Sequence, residues 1–216
     1  MFVASRMTKH PVSVTGDATI QQADRLMKKH KFHRMLVVDN GKLVGYFSDR
    51  DIMRVAPNPA TTLSKFEIRS LLDKISVRDI MHEKVITVNE NATIEEAALI
   101  MYQNKVGGLP VISDVGAVVG IITATDILKT FIEVMGLPGG GKTRLTLEVD
   151  NKIGVMAEIT KIFADNGINI DSFITCRQNS NRYELVVRLD DHAALEDVKK
   201  LLDVRGFKVV HSVKIG

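Results

Sequence analysis

The chain contains one internal repeat, and the repeat keeps a carboxylate at the same place in both copies. Residues Met7 to Val55 align with Met81 to Phe131, the offset growing by one residue after a single insertion. Met7 falls on Met81, Ala18-Thr19-Ile20 on Ala92-Thr93-Ile94, and Leu36-Val37-Val38-Asp39 on Pro110-Val111-Ile112-Ser113. Gly45-Tyr46-Phe47-Ser48-Asp49-Arg50-Asp51 falls on Gly120-Ile121-Ile122-Thr123-Ala124-Thr125-Asp126. A repeat of this length is one supersecondary unit used twice and stacked on itself. Two copies related by a pseudo-twofold axis leave a cleft between them. A polar residue kept in both copies at the end of an apolar strand is a candidate for lining that cleft.

Each copy is predicted to follow one grammar. A short strand comes first, Val12 to Val14 or Val85 to Val88. A helix follows, opened by Thr19 with Gln22 and by Thr93 with Glu96; both pairs are capping boxes. Ile20, Ala23, Leu26 and Met27 make one apolar face, and Ile94, Ala97, Ala98 and Met101 its counterpart. Two strands come next, Met35 to Val38 and Leu43 to Phe47, joined through Asn40-Gly41, a strong hairpin signal; copy two uses Asp114-Val115-Gly116. A second helix starts at Asp49 and at Ala124. Between the copies, Pro57-Asn58-Pro59 cannot be helical, and Ser64 with Glu67 opens a short helix through Leu72.

Past the glycine-rich stretch 136–142 the pattern changes. Leu145, Leu147 and Val149 alternate as in a strand, Gly154 to Asn166 is amphipathic, and Gly167 is placed to cap it. Strands Ile168 to Thr175 and Tyr183 to Leu189, a helix capped by Asp191, and a strand Phe207 to Val213 complete a βαββαβ, split ferredoxin-like order. The domains expected are 1–56 and 75–135 for the two repeats, 57–74 for a connector, 136–142 for a linker and 143–216 for the last domain. The fold class is α/β, of the α+β kind.

Composition excludes several functions. Of 216 residues, 45% are hydrophobic and 25% charged, an ordinary globular balance. A net charge of only +3 and the absence of Trp give no footprint for nucleic acid. No segment has the apolar length of a membrane span. The single cysteine, Cys176, excludes an internal disulfide and fits a reducing, cytoplasmic setting; in a predicted strand it reads as an inert buried thiol. His30 and His33 have no third ligand in register, so no metal site is expected, and no catalytic triad can be assembled.

Gly136-Leu137-Pro138-Gly139-Gly140-Gly141-Lys142-Thr143 matches the spacing of a phosphate-binding loop. A working loop of that kind needs a strand before it and a helix after it. Here the predicted order is helix, then strand, so the stretch reads as a linker. Ser48-x-x-Asp51 and Thr123-x-x-Asp126 are the stronger pair. As helix caps they stabilise by about 1 kcal/mol. As a ribose clamp, the carboxylate accepts from a vicinal diol and the helix start receives phosphate. One aspartate can do both.

With those motifs in view, residues 7–132 resemble a tandem pair of cystathionine-beta-synthase (CBS) domains, a Bateman module. The resemblance implies a sensor of adenosine-containing ligands (AMP, ADP, ATP, S-adenosylmethionine or a dinucleotide such as NAD) with two interfacial clefts. It places Asp51 and Asp126 on ribose, with Ser48, Arg50, Thr123 and Thr125 near ribose and phosphate. His33-Arg34 is similar to a phosphate-binding pair in the nucleotide-sensing subunit of AMP-activated kinase, where copy two has Gly107-Gly108; the other reading of Arg34 is a surface arginine. The family completes each cleft across the pseudo-twofold, so Asp126 would share its adenine with Met7, Val12, Phe32 and His33. Asp51 would share with Met81, Ile86, Val106 and Gly107, and its cleft is the first choice for a phosphorylated ligand.

Thr143 to Gly216 resembles an ACT domain through Asp150-Asn151-Lys152-Ile153-Gly154-Val155 and Gly167-Ile168-Asn169-Ile170. In the serine-sensing ACT domain of phosphoglycerate dehydrogenase, asparagines matching Asn151 and Asn169 bind the effector. That implies an amino-acid site on Asn151, Gly154 and Asn169, although a histidine of that site is Val149 here; the other reading is a turn asparagine and a strand-start asparagine. The whole order is similar to the acetoin-utilisation (AcuB-like) type of CBS–ACT protein. The expectation is a non-enzymatic, homodimeric regulatory sensor with a nucleotide effector, an amino acid as a second effector, no required cofactor and an unidentified regulated protein. The alternative is a ligand-free dimerisation or adaptor module, and the third reading is an ATPase using Lys142.

Overall fold

A computed structural model describes residues 1–56, 64–137, 142–179, 181–190 and 195–215. In chain order the elements are β1 (Thr8–Lys9), β2 (Ser13–Val14), α1 (Ile20–His30), β3 (Arg34–Asp39), β4 (Lys42–Ser48), α2 (Asp49–Val55) and α3 (Lys65–Leu72). The second copy follows as β5 (Val88–Asn89), α4 (Ile94–Asn104), β6 (Gly108–Ile112), β7 (Val118–Thr123) and α5 (Ala124–Val134). The last part is β8 (Lys142–Asp150), α6 (Val155–Asp165), β9 (Ile170–Arg177), β10 (Arg182–Leu189), α7 (Leu195–Val204) and β11 (Val209–Ile215). Two compact units, Met1–Ile127 and Leu128–Gly216, divide within α5.

Local chemistry accounts for most boundaries. Thr19 and Thr93 cap α1 and α4, each accepting from the third residue on while Gln22 or Glu96 accepts from the cap amide. The capping satisfies helix-end donors that would otherwise be orphaned. Asn40 and Gly41 both have positive φ, 52° and 77°, as a two-residue hairpin of the twist-matched kind requires. Ser64 opens α3 by donating from its amide and hydroxyl to Glu67 Oε2, at 2.8 and 2.7 Å. The expected proline-rich start of the connector lies outside the described residues.

In the first unit, β2-β3-β4 form one sheet and β1-β7-β6-β5 another. The copies are interlocked. Val77, in a 3-10 turn that leads into copy two, is fully buried in the core of copy one with Val14, Ile20, Met35 and Phe47. Val3, in the matching turn that leads into copy one, is fully buried in the core of copy two with Val88, Ile94, Leu109 and Ile122. Burying one such side chain is worth roughly 1.5–3 kcal/mol. The bridges come in symmetric pairs: Phe2 meets Thr93 as Thr19 meets Ser76, and Thr8 meets Ile121 as Tyr46 meets His82. Lys42 meets Ala117, its own repeat-mate, so the pseudo-twofold passes between the hairpins.

The strand expected over Val85 to Val88 is only Val88–Asn89. Glu90 N–H donates to the Ile112 carbonyl, so the even residues of β6 present their backbone groups to β5. One of them is Pro110, which has no N–H to extend the ladder. Copy one has Leu36 there, paired with Ser13.

The second unit is a four-stranded antiparallel sheet in the order β11-β8-β10-β9. Leu145, Leu147, Leu185, Val187 and Leu189 turn to one face and pack on Ile159, Ile162 and Phe163 of α6 and on Val198 and Leu202 of α7. The sequence-predicted Asp191 cap lies outside the described residues. Cys176 is exposed, not buried. It lies opposite Glu184 on the face away from the helices, near the end of edge strand β9.

One polar tie crosses the repeat. Asp39 accepts from Gly16 N–H at 2.9 Å and from Arg78 Nη2 at 2.8 Å. The Gly16 amide first and Arg78 second hold the Asp39 carboxyl below its usual value. A lowered folded-state pKa means stability that is present at neutral pH and lost as pH falls through that value. Asp39→Asn should therefore lower the melting temperature at pH 7. It should also flatten the loss of stability below about pH 4, as read by circular dichroism melts across pH.

Candidate functional site

The two repeated aspartates take the same seat. At the end of β4, the Ser48 amide and hydroxyl both donate to Asp51 Oδ2, at 2.9 and 2.6 Å. At the end of β7, the Thr123 amide and hydroxyl both donate to Asp126 Oδ2, at 2.8 and 2.7 Å. These bonds fix the strand-to-helix turn and use a single carboxylate oxygen. The cap and the ligand readings therefore do not compete, because the cap leaves Oδ1.

At Oδ1 the copies differ. Asp126 Oδ1 has no partner among the described residues. Asp51 Oδ1 lies 3.2 Å from His82 Nε2 and 3.5 Å from Arg54 Nη1. Asp51 is buried, 8% exposed. Burial pushes its carboxyl up, but the Ser48 hydroxyl and amide and then His82 outweigh that, leaving it below the usual carboxylate value. His82 is held by two backbone bonds to Tyr46, at 3.1 and 2.8 Å, and their rings lie 5.2 Å apart. The sequence reading missed His82. The repeat aligns it with Thr8, one residue past the Met7–Met81 pair, and that mismatch was the available signal.

The lead-in segments bring residues across the repeat. A Cβ on Gly45 would come within 2.9 Å of Met81 Sδ and of the His82 carbonyl, and Gly120 stands against Met7 and Thr8 in the same way. Glycine at both positions lets the crossing strand approach. Met81 thus lies beside the strand that ends at Ser48, and Met7 beside the strand that ends at Thr123. Ile86 is exposed, and Val106 packs partly on the core of copy two. The Gly107 carbonyl accepts from Ala124 N–H at 3.0 Å. Val12 packs partly on the core of copy one, and exposed Phe32 stacks on His30. His33 Nδ1 lies 2.9 Å from Asp49 Oδ2, and Arg34 stands opposite Ser48 in the ladder. His33 and Arg34 therefore stand at the head of α2, beside Asp51. Arg50 and Thr125 are exposed in the first turns of α2 and α5.

The phosphate-loop spacing falls between α5 and β8. Lys142 opens β8 and pairs with Asp171. Residues 138–141 lie outside the described residues, but a strand, not a helix, follows the lysine. Among the described residues no three metal-ligating side chains cluster, and no helix is long and apolar enough to cross a membrane.

In the second unit, a cavity of about 490 Å³ opens beside the β8–α6 turn, lined by Glu148, Asp150, Lys152, Gly154, Arg205 and Phe207 among others. Gly154 has φ of 90° as the residue before α6. Asn151 follows β8 and donates its amide to the Asn181 carbonyl, whereas Asn169 precedes β9 and its side chain donates to Asp190 at 3.2 Å. Asp150 pairs with Arg182 and Ile170 with Leu189, at opposite ends of β10. At about 3.4 Å per residue the two asparagines stand roughly 20 Å or more apart, so one chain does not bring them together.

This architecture, a doubled βαββα unit with a carboxylate at each strand end, followed in sequence by a βαββαβ unit, agrees with the comparisons. Residues 3–58 and 77–133 match the CBS domain family, more than half of the chain, and residues 143–206 match the ACT domain. The chain belongs to the CBS domain family, as a tandem CBS pair followed by an ACT domain. A CBS domain-containing protein of Dictyostelium discoideum is 30% identical over 136 residues, 62% of this chain and 94% of that protein. A Vibrio cholerae protein assigned to acetoin utilization (AcuB) superposes with a TM-score of 0.52 at 30% identity, over 63% of this chain and 94% of that one. CBSX2, solved in complex with AMP, superposes with a TM-score of 0.51 at 24% identity, over 62% and 97% of the two chains, a likeness of fold.

Removing His82 takes away a hydrogen bond and a positive neighbour that favour the ionised Asp51. In His82→Ala the Asp51 carboxyl should titrate at a higher pH than in the parent protein. Carbon-detected NMR of the carboxyl resonance reads this directly, and an unmoved titration would show that the contact is not made in solution.

Proposed function

We propose that the protein is a non-catalytic regulatory sensor whose CBS pair binds an adenosine-containing nucleotide, with ribose held by Asp51 and Asp126. One observation carries the reading: each aspartate caps its helix through Oδ2 alone, so that Oδ1 is unpartnered among the described residues in Asp126 and meets only the exposed His82 and Arg54 side chains in Asp51. A carboxylate oxygen accepts two hydrogen bonds, which suits the two hydroxyls of a ribose. In the first turn of α5, Ala124 N–H is spent on the Gly107 carbonyl and Asp126 N–H on Thr123 Oγ1, which leaves Thr125 N–H for phosphate, and His33 with Arg34 adds basic groups beside α2. The CBS fold accommodates AMP in CBSX2, which supports the size of ligand without choosing it. The ligand acts through a difference in affinity between two arrangements of the protein.

The ACT part takes an amino acid in the same reading. The cavity by Gly154 offers both acidic and basic side chains, as a zwitterion needs. If Asn151 and Asn169 hold one effector, they do so from two copies of the chain, which makes a homodimer part of the proposal.

Each charge-assisted hydrogen bond lost at an aspartate is worth about 1.5–3 kcal/mol, so Asp51→Ala and Asp126→Ala should each weaken binding at their own cleft at least roughly tenfold. Calorimetry with AMP, ADP, ATP and S-adenosylmethionine measures it. Unchanged affinity in both variants defeats the ribose assignment. A thermal-shift panel that stays flat across nucleotides and amino acids would instead favour a ligand-free adaptor.

A further inference from the structure

The face of the second unit's sheet that turns away from the helices carries an uncompensated pair of arginines. In the ladder Arg144 on β8 stands opposite Arg188 on β10, and Arg188 stands opposite Ser172 on β9. Their neighbours Leu145, Val187 and Leu189 belong to the core, so the arginines lie on the other side. Arg188 is only 7% exposed. Its Nη1 reaches Ser172 Oγ at 3.3 Å and Met135 Sδ at 3.4 Å, the latter a weak acceptor. Its Nε has no hydrogen-bond partner among the described residues. Arg144 Nη1 donates to Thr146 Oγ1 at 2.7 Å and to no acid. Among the described residues, no carboxylate forms an ion pair with either guanidinium. The acid beside Ser172 is Asp171, and Lys142 takes it.

Like charges directly across a ladder repel, and a buried charge is ordinarily paired. Burial and the neighbouring Arg144 both push the Arg188 pKa down, yet a guanidinium does not give up its proton in proteins. Two cations, one of them buried with an idle N–H, therefore lack a counter-charge. Both hydroxyls nearby are already used: Thr146 accepts from Arg144, and Ser172 accepts from Arg188 and donates to the Met135 carbonyl at 3.3 Å. Neither hydroxyl can neutralise anything.

We propose that this sheet face binds a small oxyanion, a carboxylate or a phosphate, through the unspent N–H groups of Arg144 and Arg188. Arg144 is half-buried and gives the side of approach. The pair lies far along β8 from the cavity by Gly154, and it shares no residue with the CBS aspartates, so the site stands or falls independently of the nucleotide reading.

The test uses the full chain, with thermal shift and calorimetry in sodium phosphate, sodium acetate and sodium chloride at matched ionic strength. Phosphate or acetate should raise the melting temperature above the chloride value. The increment should survive in the Asp51→Ala/Asp126→Ala double variant and disappear in Arg188→Met and in Arg144→Gln. A larger response to phosphate assigns a phosphoryl ligand, and a larger response to acetate assigns a carboxylic acid. If Arg188→Met does not fold, the half-buried Arg144→Gln carries the comparison, with anion affinity expected to fall at least tenfold. No anion-dependent shift in the parent protein would overturn the site. So would a shift that both arginine variants keep, or one that only the double aspartate variant loses.

Discussion

Neither copy of the repeat closes its own core. The segment that leads into copy two gives Val77 to copy one, and the segment that leads into copy one gives Val3 to copy two. Each half is therefore completed by a residue that precedes the other, and the exchange is what holds the pseudo-twofold. Hydrophobic burial supplies the attraction, but it is non-directional. Direction comes from paired backbone bonds, Val77 N–H to the Ala18 carbonyl and Val3 N–H to the Ala92 carbonyl, which sit at matching positions. Arg78, one residue on, adds the tie to Asp39. The segments next in line, carrying Met7 and Met81, then run beside β7 and β4, the strands that lead into the aspartates.

The aspartates show how a structural role leaves room for a second one. A capping acid must face its helix start with one oxygen only, and the Ser/Thr amide and hydroxyl converge on that oxygen in both copies. What the duplication kept is the cap. What it let drift is the surroundings of the other oxygen, with His82 in one copy and Thr8 at the matching place in the other. The arginine pair on the ACT sheet is the opposite case, because there the local structure spends its polar groups and still leaves charge unanswered.

Features set by neighbours in sequence were legible. The capping boxes at Thr19 and Thr93, the Asn40-Gly41 hairpin, the starts of α2 and α5 and the βαββαβ order all follow from three- or four-residue chemistry or from simple periodicity. Features set by distant residues were not. Where β5 starts depends on Pro110 in another strand. The exposure of Cys176 depends on which face of the sheet the helices cover, which alternation alone cannot say for an edge strand. His82 meets Asp51 only because the chain crosses the repeat. The asparagines at 151 and 169 read as one site in sequence, whereas the antiparallel ladder sends them to opposite ends of the sheet.

The imidazole on one aspartate and not on the other means that the duplicated halves do not start from the same condition. In the proposed sensor, a ligand arriving at Asp126 would meet an idle oxygen, while one arriving at Asp51 would first have to part an existing contact. Receptors with two such unequal doors fill in sequence, and their output spreads over a broader span of concentration than a matched pair would give. In that reading a single side chain, His82, is enough to make two duplicated sites answer at different concentrations.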